Sequence, residues 1–133
     1  MIALLLLLGL LACAACGAPK GNSPGAEEYG EARPMGQGAA AFVFRVETKG
    51  EKMQYQINTD AATVGEALLA LGLIAGDTSA MGLMVHTVCG IPLDYEKDGA
   101  YWAFYVNGAY AAAGVDQTPI EPDTIYEFRY TEA

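Results

Sequence analysis

Three features of this sequence predict an α+β fold, with one helix laid across a sheet of about five strands. Two apolar runs with a period of two residues flank Lys49-Gly50-Glu51. One run with helical spacing follows, between Thr63 and Gly72. Further on, Tyr101-Trp-Ala-Phe-Tyr-Val106 is closed by Asn107-Gly108, the dipeptide best suited to a two-residue hairpin turn.

In the first run Phe42, Phe44 and Val46 alternate with Val43, Arg45 and Glu47. In the second, Met53, Tyr55 and Ile57 alternate with Lys52, Gln54 and Gln56. Period two on both sides of a glycine turn is a β-hairpin with one buried face. Thr63-Val-Gly-Glu66 then has the form of a capping box, in which the hydroxyl accepts from an early amide and the carboxylate reaches back. Val64, Ala67, Leu68 and Leu71 make one apolar stripe, and Gly72 ends the helix. Gly82 to Cys89 is the third strand, Asp94 to Gly99 a turn, and Tyr101 to Val106 the fourth strand. Ile125 to Tyr130 is the last, with Tyr126, Phe128 and Tyr130 opposite Glu127 and Arg129. A single helix covering a single sheet buries both apolar faces economically. In the order β-β-α-β-β-β this is a β-grasp, or ubiquitin-like, arrangement.

The 133 residues leave room for one domain. Up to Thr59 five acids and five bases cancel, whereas from Asp60 eleven acids face only Lys97 and Arg129, which accounts for the net charge of −9. Such a surface repels phosphate backbones, so nucleic acid is not a partner.

Ile2 to Ala12 is an apolar run, too short for a permanent membrane span and suited to the core of a secretory signal. No Lys or Arg precedes Lys20, so the usual basic start is missing. Apolar residues, then small residues, then cysteine resemble the lipobox of bacterial lipoproteins, which implies an acylated cysteine. Cys16 is favoured by the longer apolar run before it, and Cys13, with Leu10 three residues earlier, is the alternative. Residues 1–16 are thus expected to be a lipoprotein signal. Residues 17–40, with six Gly and three Pro, are expected to be a flexible tether, and residues 41–133 the domain. A coil of that length reaches about 25–30 Å. The expected location is the outer face of the bacterial cytoplasmic membrane.

Little in the domain points to catalysis. His86 is the single histidine, and Cys89 follows three residues later in the same strand, on the opposite face. A cleft joining His86 to acids distant in sequence would be needed for an enzyme. Asp94-x-Glu96-x-Asp98-Gly99 copies half of a calcium loop, but Tyr105 stands where the twelfth-position Glu belongs. Three cysteines form neither a disulfide framework nor a metal site, and Cys89 lies in an apolar run as a buried thiol does. Aromatic density is the unusual feature: Trp102, Phe104 and Val106 share one strand face, and Tyr101, Ala103 and Tyr105 the other.

Thr63-Val-Gly-Glu-Ala-Leu-Leu, Gly82-Leu-Met-Val-His-Thr-Val-Cys-Gly90 and Tyr101-Trp-Ala-Phe-Tyr-Val-Asn-Gly108 stand in a telling order, followed by Gly114-Val-Asp and Pro122-Asp-Thr-Ile-Tyr-Glu-Phe. Together they resemble the C-terminal domain of the transcobalamin and intrinsic factor family, labelled DUF4430 in bacterial lipoproteins. The resemblance covers roughly residues 42–131. It implies a binding domain that is not an enzyme and requires no cofactor, with cobalamin or a related corrinoid as its ligand. By position it implies contacts from Val85, Thr87, Ala103 and Phe104. Two departures matter: Ala103 stands where many carriers have a polar side chain, and the helical barrel that supplies the other half of the carriers' site is absent from this sequence. A second binding domain or an uptake transporter is therefore the implied partner, and the membrane is reached through the lipid. The alternative is a cell-surface interaction module with no small-molecule ligand.

Overall fold

The computed structural model describes residues 26–133, so the predicted signal segment, Cys13 and Cys16 lie outside the described residues. Strands β2 (Ala40–Glu47) and β3 (Lys52–Thr59) form the expected antiparallel hairpin, pairing Phe44 with Tyr55 and Glu47 with Lys52. Its turn is closed by Thr48, whose Oγ1 accepts from the amides of Gly50 and Glu51. Phe42, Phe44, Val46 and Ile57 are at most 1% exposed. Each such burial contributes about 1.5–3 kcal/mol.

Helix α2 (Val64–Ala70) seals that apolar face. At its start Thr63 Oγ1 accepts from the Glu66 amide at 3.1 Å, while Glu66 Oε1 reaches one residue beyond the usual capping position, to the Ala62 amide at 3.4 Å. At its end Gly72 takes φ 73°, and the amides of Gly72 and Leu73 bond the carbonyls of Leu69 and Leu68. These paired bonds satisfy carbonyls that a bare helix end would leave open.

The sheet is larger than predicted. Among the described residues there are nine strands, six in one sheet of order β1 (Arg33–Met35), β3, β2, β9 (Ile125–Glu132), β7 (Ala100–Val106), β8 (Ala109–Tyr110), and three in a second, of order β4 (Ile74–Ser79), β5 (Gly82–Val88), β6 (Ile91–Pro92). Strand β4 (Ile74–Ser79) pairs with β5 (Gly82–Val88), and β6 (Ile91–Pro92) adds to the other edge of β5. Ile-Ala-Gly-Asp-Thr-Ser has only its first residue buried, so β4 lacks the alternation that marks a strand in sequence. Asp94 to Gly99, read as a plain turn, contains a one-turn helix, α3 (Tyr95–Asp98). Strand β7 (Ala100–Val106) turns through Asn107 and Gly108, both at positive φ (49° and 86°), into the two-residue β8 (Ala109–Tyr110). A 3₁₀ turn (Val115–Gln117) leads to β9 (Ile125–Glu132), which lies antiparallel to β7 and parallel to β2. Tyr126 and Phe128 of β9 face the core with Trp102 and Phe104 of β7.

One boundary is corrected. Residues 26–40, assigned in sequence to the tether, enter the fold. Helix α1 (Ala26–Tyr29) lies on the sheet face away from α2, and β1 (Arg33–Met35) runs parallel to β3. Tyr29, 9% exposed, donates its hydroxyl to Glu127 Oε2 at 2.5 Å, and the Arg45 guanidinium sits 4.6 Å from its ring centre. Gln54 donates to the Gly30 carbonyl at 2.5 Å. One large aromatic and one extra strand supply the burial that the glycine- and proline-rich composition seemed to deny.

Candidate functional site

The residues predicted to meet a ligand fall on two sheets, and the gap between those sheets is where a site forms. Strand β8 pairs only with Tyr105 and Val106, so the earlier part of β7 has no strand beside it on that side. The tip of the β4–β5 hairpin stands over this stretch. Between them lies a cleft of about 420 Å³, walled by Met81, Leu83, Met84 and Val85 on one side and Trp102, Phe104 and Tyr110 on the other, with Gly114 and Val115 at one end. None of the described residues lining it carries a charged side chain. Trp102 is fixed in place: it is 6% exposed and donates its indole N–H to the Ile91 carbonyl at 3.1 Å. The rim is open, with Met81 84% and Met84 59% exposed on the hairpin side and Tyr110 64% exposed on the other. Flexible thioethers facing a fixed aromatic wall suit an apolar ligand surface that needs some adjustment of shape.

Of the four residues implied by sequence, Val85 and Phe104 come together in this cleft. Ala103 does not. It is 1% exposed and faces the other side of the sheet, paired across to Arg129, because neighbours along a strand point to opposite faces. Thr87 lines no part of the cleft either; its Oγ1 lies 2.7 Å from Nδ1 of His86. Met81, Met84 and Tyr110 were missed. Their only signal in the sequence is apolar side chains beside turn residues.

His86 belongs to a separate shallow groove of about 510 Å³, with Asp77, Asp94, Lys97 and Asp98. Its Nε2 is 3.7 Å from Asp77 Oδ2. The Asp94 carboxylate accepts from the amides of Glu96 and Lys97, and that of Asp98 accepts from the Asp94 amide, so both serve as local caps. The groove brings His86 to acids, and the Thr87 hydroxyl lies on the other ring nitrogen, Nδ1. Cys89, at φ 51°, points its thiol at the Tyr55 hydroxyl, 3.7 Å away. Burial raises that thiol's pKa above the ordinary value, and the Tyr55 contact offsets only part of the rise. Among the described residues no three His, Cys, Asp or Glu side chains converge as a metal site would require.

Fold and cleft together define a small α+β domain with an open, uncharged, aromatic-walled pocket. The chain belongs to the family described as a domain of unknown function (DUF4430), whose model matches residues 61–132. No curated protein sequence matches it. A candidate metal-binding protein from Ruminococcus gnavus ATCC 29149 shares the fold over 71% of this chain and 99% of its own, at 24% identity and a TM-score of 0.67. Haptocorrin, solved in complex with Cbi, aligns over 70% of this chain at 13% identity and a TM-score of 0.54. This chain spans only 25% of haptocorrin's length. At these identities the two likenesses establish a shared fold.

Proposed function

We propose that this is an extracytoplasmic accessory protein that captures a small ligand in the cleft between the β4–β5 hairpin and β7, with a corrinoid as the leading ligand class. The observation that carries the reading is the cleft itself: about 420 Å³, uncharged, with Trp102 and Phe104 as a fixed wall and methionines as the opposing lip. The likeness to a protein solved with Cbi bound supports the choice of class. The cleft is open on one side, so a second binding domain or an uptake transporter completes it. The lipid anchor is assigned to Cys16, with Cys13 the alternative, on the sequence pattern alone. No catalytic role and no required cofactor belong to this reading. The frame is read as a β-grasp variant, supported by the parallel first and last long strands, β2 and β9, with α2 packed across them.

Calorimetric titration of the full chain in detergent with cobinamide and with cyanocobalamin tests this. Saturable heat that weakens in Met84→Ala is the expected result. Met84 is 59% exposed, so its loss leaves the fold intact. Phe104→Ala also removes the wall but costs about 3–5 kcal/mol of stability and is the less clean variant. Absence of heat, and of any change in melting temperature with excess corrinoid, would sink stand-alone capture. A second reading then takes over, in which the exposed lip of Met81, Met84 and Tyr110 docks a surface protein and no small molecule enters.

A further inference from the structure

An open sheet edge offers its N–H and C=O groups to any extended chain, and proteins blunt such edges with proline, charge, bulges or shortness. Among the described residues every edge but one is blunted in this way. Strand β1 carries Arg33 and Pro34. Strand β4 breaks register between Ala75 and Gly76 and presents Asp77. Strand β6 ends on Pro92, and β8 has only two residues. The stretch of β7 that β8 leaves uncovered has none of these devices. Ala100–Val106 holds neither proline nor charge, and its register with β9 is unbroken.

Two hydrogen bonds fix where its main-chain groups point. On the β9 side the Gly99 carbonyl accepts from the Ala133 amide at 2.8 Å; on the other side the Phe104 carbonyl accepts from the Ala111 amide at 3.0 Å. Successive residues of a strand aim these groups alternately at its two edges. The N–H and C=O of Trp102 therefore point away from β9, beyond the end of β8, and no strand pairs with them. Tyr101 lines the cleft together with Trp102 and Phe104, although they belong to opposite sheet faces, so the cleft opens onto the edge itself. A charge stands behind one end. A Cβ on Gly82 or on Gly114 would lie 3.1 Å from Asp116 Oδ1, which is buried and accepts no hydrogen bond. Buried acceptors normally have a partner. The acids that outnumber Lys97 and Arg129 from Asp60 onward add to its pull on a cation.

We propose that the open stretch of β7 takes an extended segment of a partner protein by strand addition, with apolar side chains against Trp102 and Phe104 and a lysine or arginine near Asp116. Main-chain pairing supplies affinity and the apolar cleft selects the side chains. The partner's identity rests on the functional reading, in which a second binding domain or a transporter completes the cleft; the pairing itself requires no corrinoid. Segment and captured ligand share Trp102 and Phe104, so the arrival of the segment releases the ligand.

The test is calorimetry of the full chain in detergent with the capped peptide acetyl-Lys-Val-Thr-Val-Thr-amide, beside versions N-methylated at the Val amides or at the Thr amides. Saturable binding of the parent peptide is expected. Only one set of amides can face β7, so one methylated version should bind about tenfold more weakly than its twin, the loss expected for one hydrogen bond. Asp116→Asn should weaken the parent by about threefold, a loss that fades in high salt. No saturable heat from the parent, equal affinities of the two methylated versions, or unchanged binding in Asp116→Asn would each overturn the proposal. Cobinamide separates it from the functional reading. Displacement of bound cobinamide by the peptide would support both, and cobinamide that stays bound with the peptide seated would overturn the shared cleft. Peptide binding by a protein that never binds cobinamide would end the corrinoid reading and leave strand addition standing.

Discussion

Gly65→Ala sets two known effects against each other in one helix. Alanine in place of glycine normally favours a helix by about 1 kcal/mol. At Gly65 the added Cβ would lie 2.7 Å from Asp116 Cα, 2.9 Å from Asp116 N and 3.1 Å from Val115 C. All three are backbone atoms of the 3₁₀ turn against which α2 packs, and backbone cannot rotate away as a side-chain tip can. Forcing extra volume into such a contact costs about 1–3 kcal/mol, and at 2.7 Å the upper part of that range applies. The net expectation is a loss of about 1–2 kcal/mol. At about 4 °C per kcal/mol for a domain near 100 residues, the melting temperature should fall by about 4–8 °C. Thermal unfolding followed by far-ultraviolet circular dichroism measures this directly. A melting temperature that stays level or rises would mean that the turn yields freely and that the close helix–turn contact is not a constraint. Because Gly114 and Val115 also wall the cleft, the same variant should weaken whatever the cleft holds.

Three further outcomes can be checked with the same preparations. Thr63→Ala removes the acceptor for the Glu66 amide and should cost about 1 kcal/mol in the same melt, with no effect on the far sheet face. Tyr29→Phe should cost about 1.5 kcal/mol by removing a hydrogen bond to a buried carboxylate; an unchanged melt would show that α1 is not seated on Glu127. Burial raises the folded pKa of the Cys89 thiol above its ordinary value of about 9.0, so its contribution to stability is fully present below that pH and is lost as pH rises toward the folded value. Cys89, half-buried, should accordingly react slowly with an aromatic disulfide reagent near pH 8 in the native protein and fast once unfolded, whereas rapid native labelling of Cys89 would contradict the raised pKa.

The elements legible in the sequence are those whose side chains repeat. Phe42, Phe44 and Val46 gave β2, Val64, Ala67 and Leu68 gave α2, and Trp102 and Phe104 gave β7, since each set buries one face. Strand β4 was hidden because its sequence buries only Ile74 and relies on backbone pairing with β5. Strand β1 was hidden because three residues including Pro34 are too few to show a period. Half of the site residues implied by family likeness meet in the cleft. Ala103, next to Phe104 in the strand, turns to the other face of the sheet and is 1% exposed. Met81 and Met84 reach the cleft through the folding-over of the β4–β5 hairpin, which no local pattern announces, whereas Tyr110 is brought there by the Asn107-Gly108 turn into β8.

The seating of Tyr29 on Glu127 also resets how far the domain can stray from its attachment. With Cys16 as the acylated residue proposed above, ten residues rather than twenty-five separate the lipid from the first element described, which starts at Ala26 in place of Ala41. At roughly 3.3–3.6 Å per residue the fully extended limit is about 35 Å instead of about 85 Å. For a partner embedded in the same membrane, local concentration scales roughly as the inverse three-halves power of linker length, so the shorter leash raises it about fourfold. On the anchoring proposed above, docking one tyrosine would turn a long-armed sentinel into one held within a domain's width of the lipid surface, in reach of the proposed transporter.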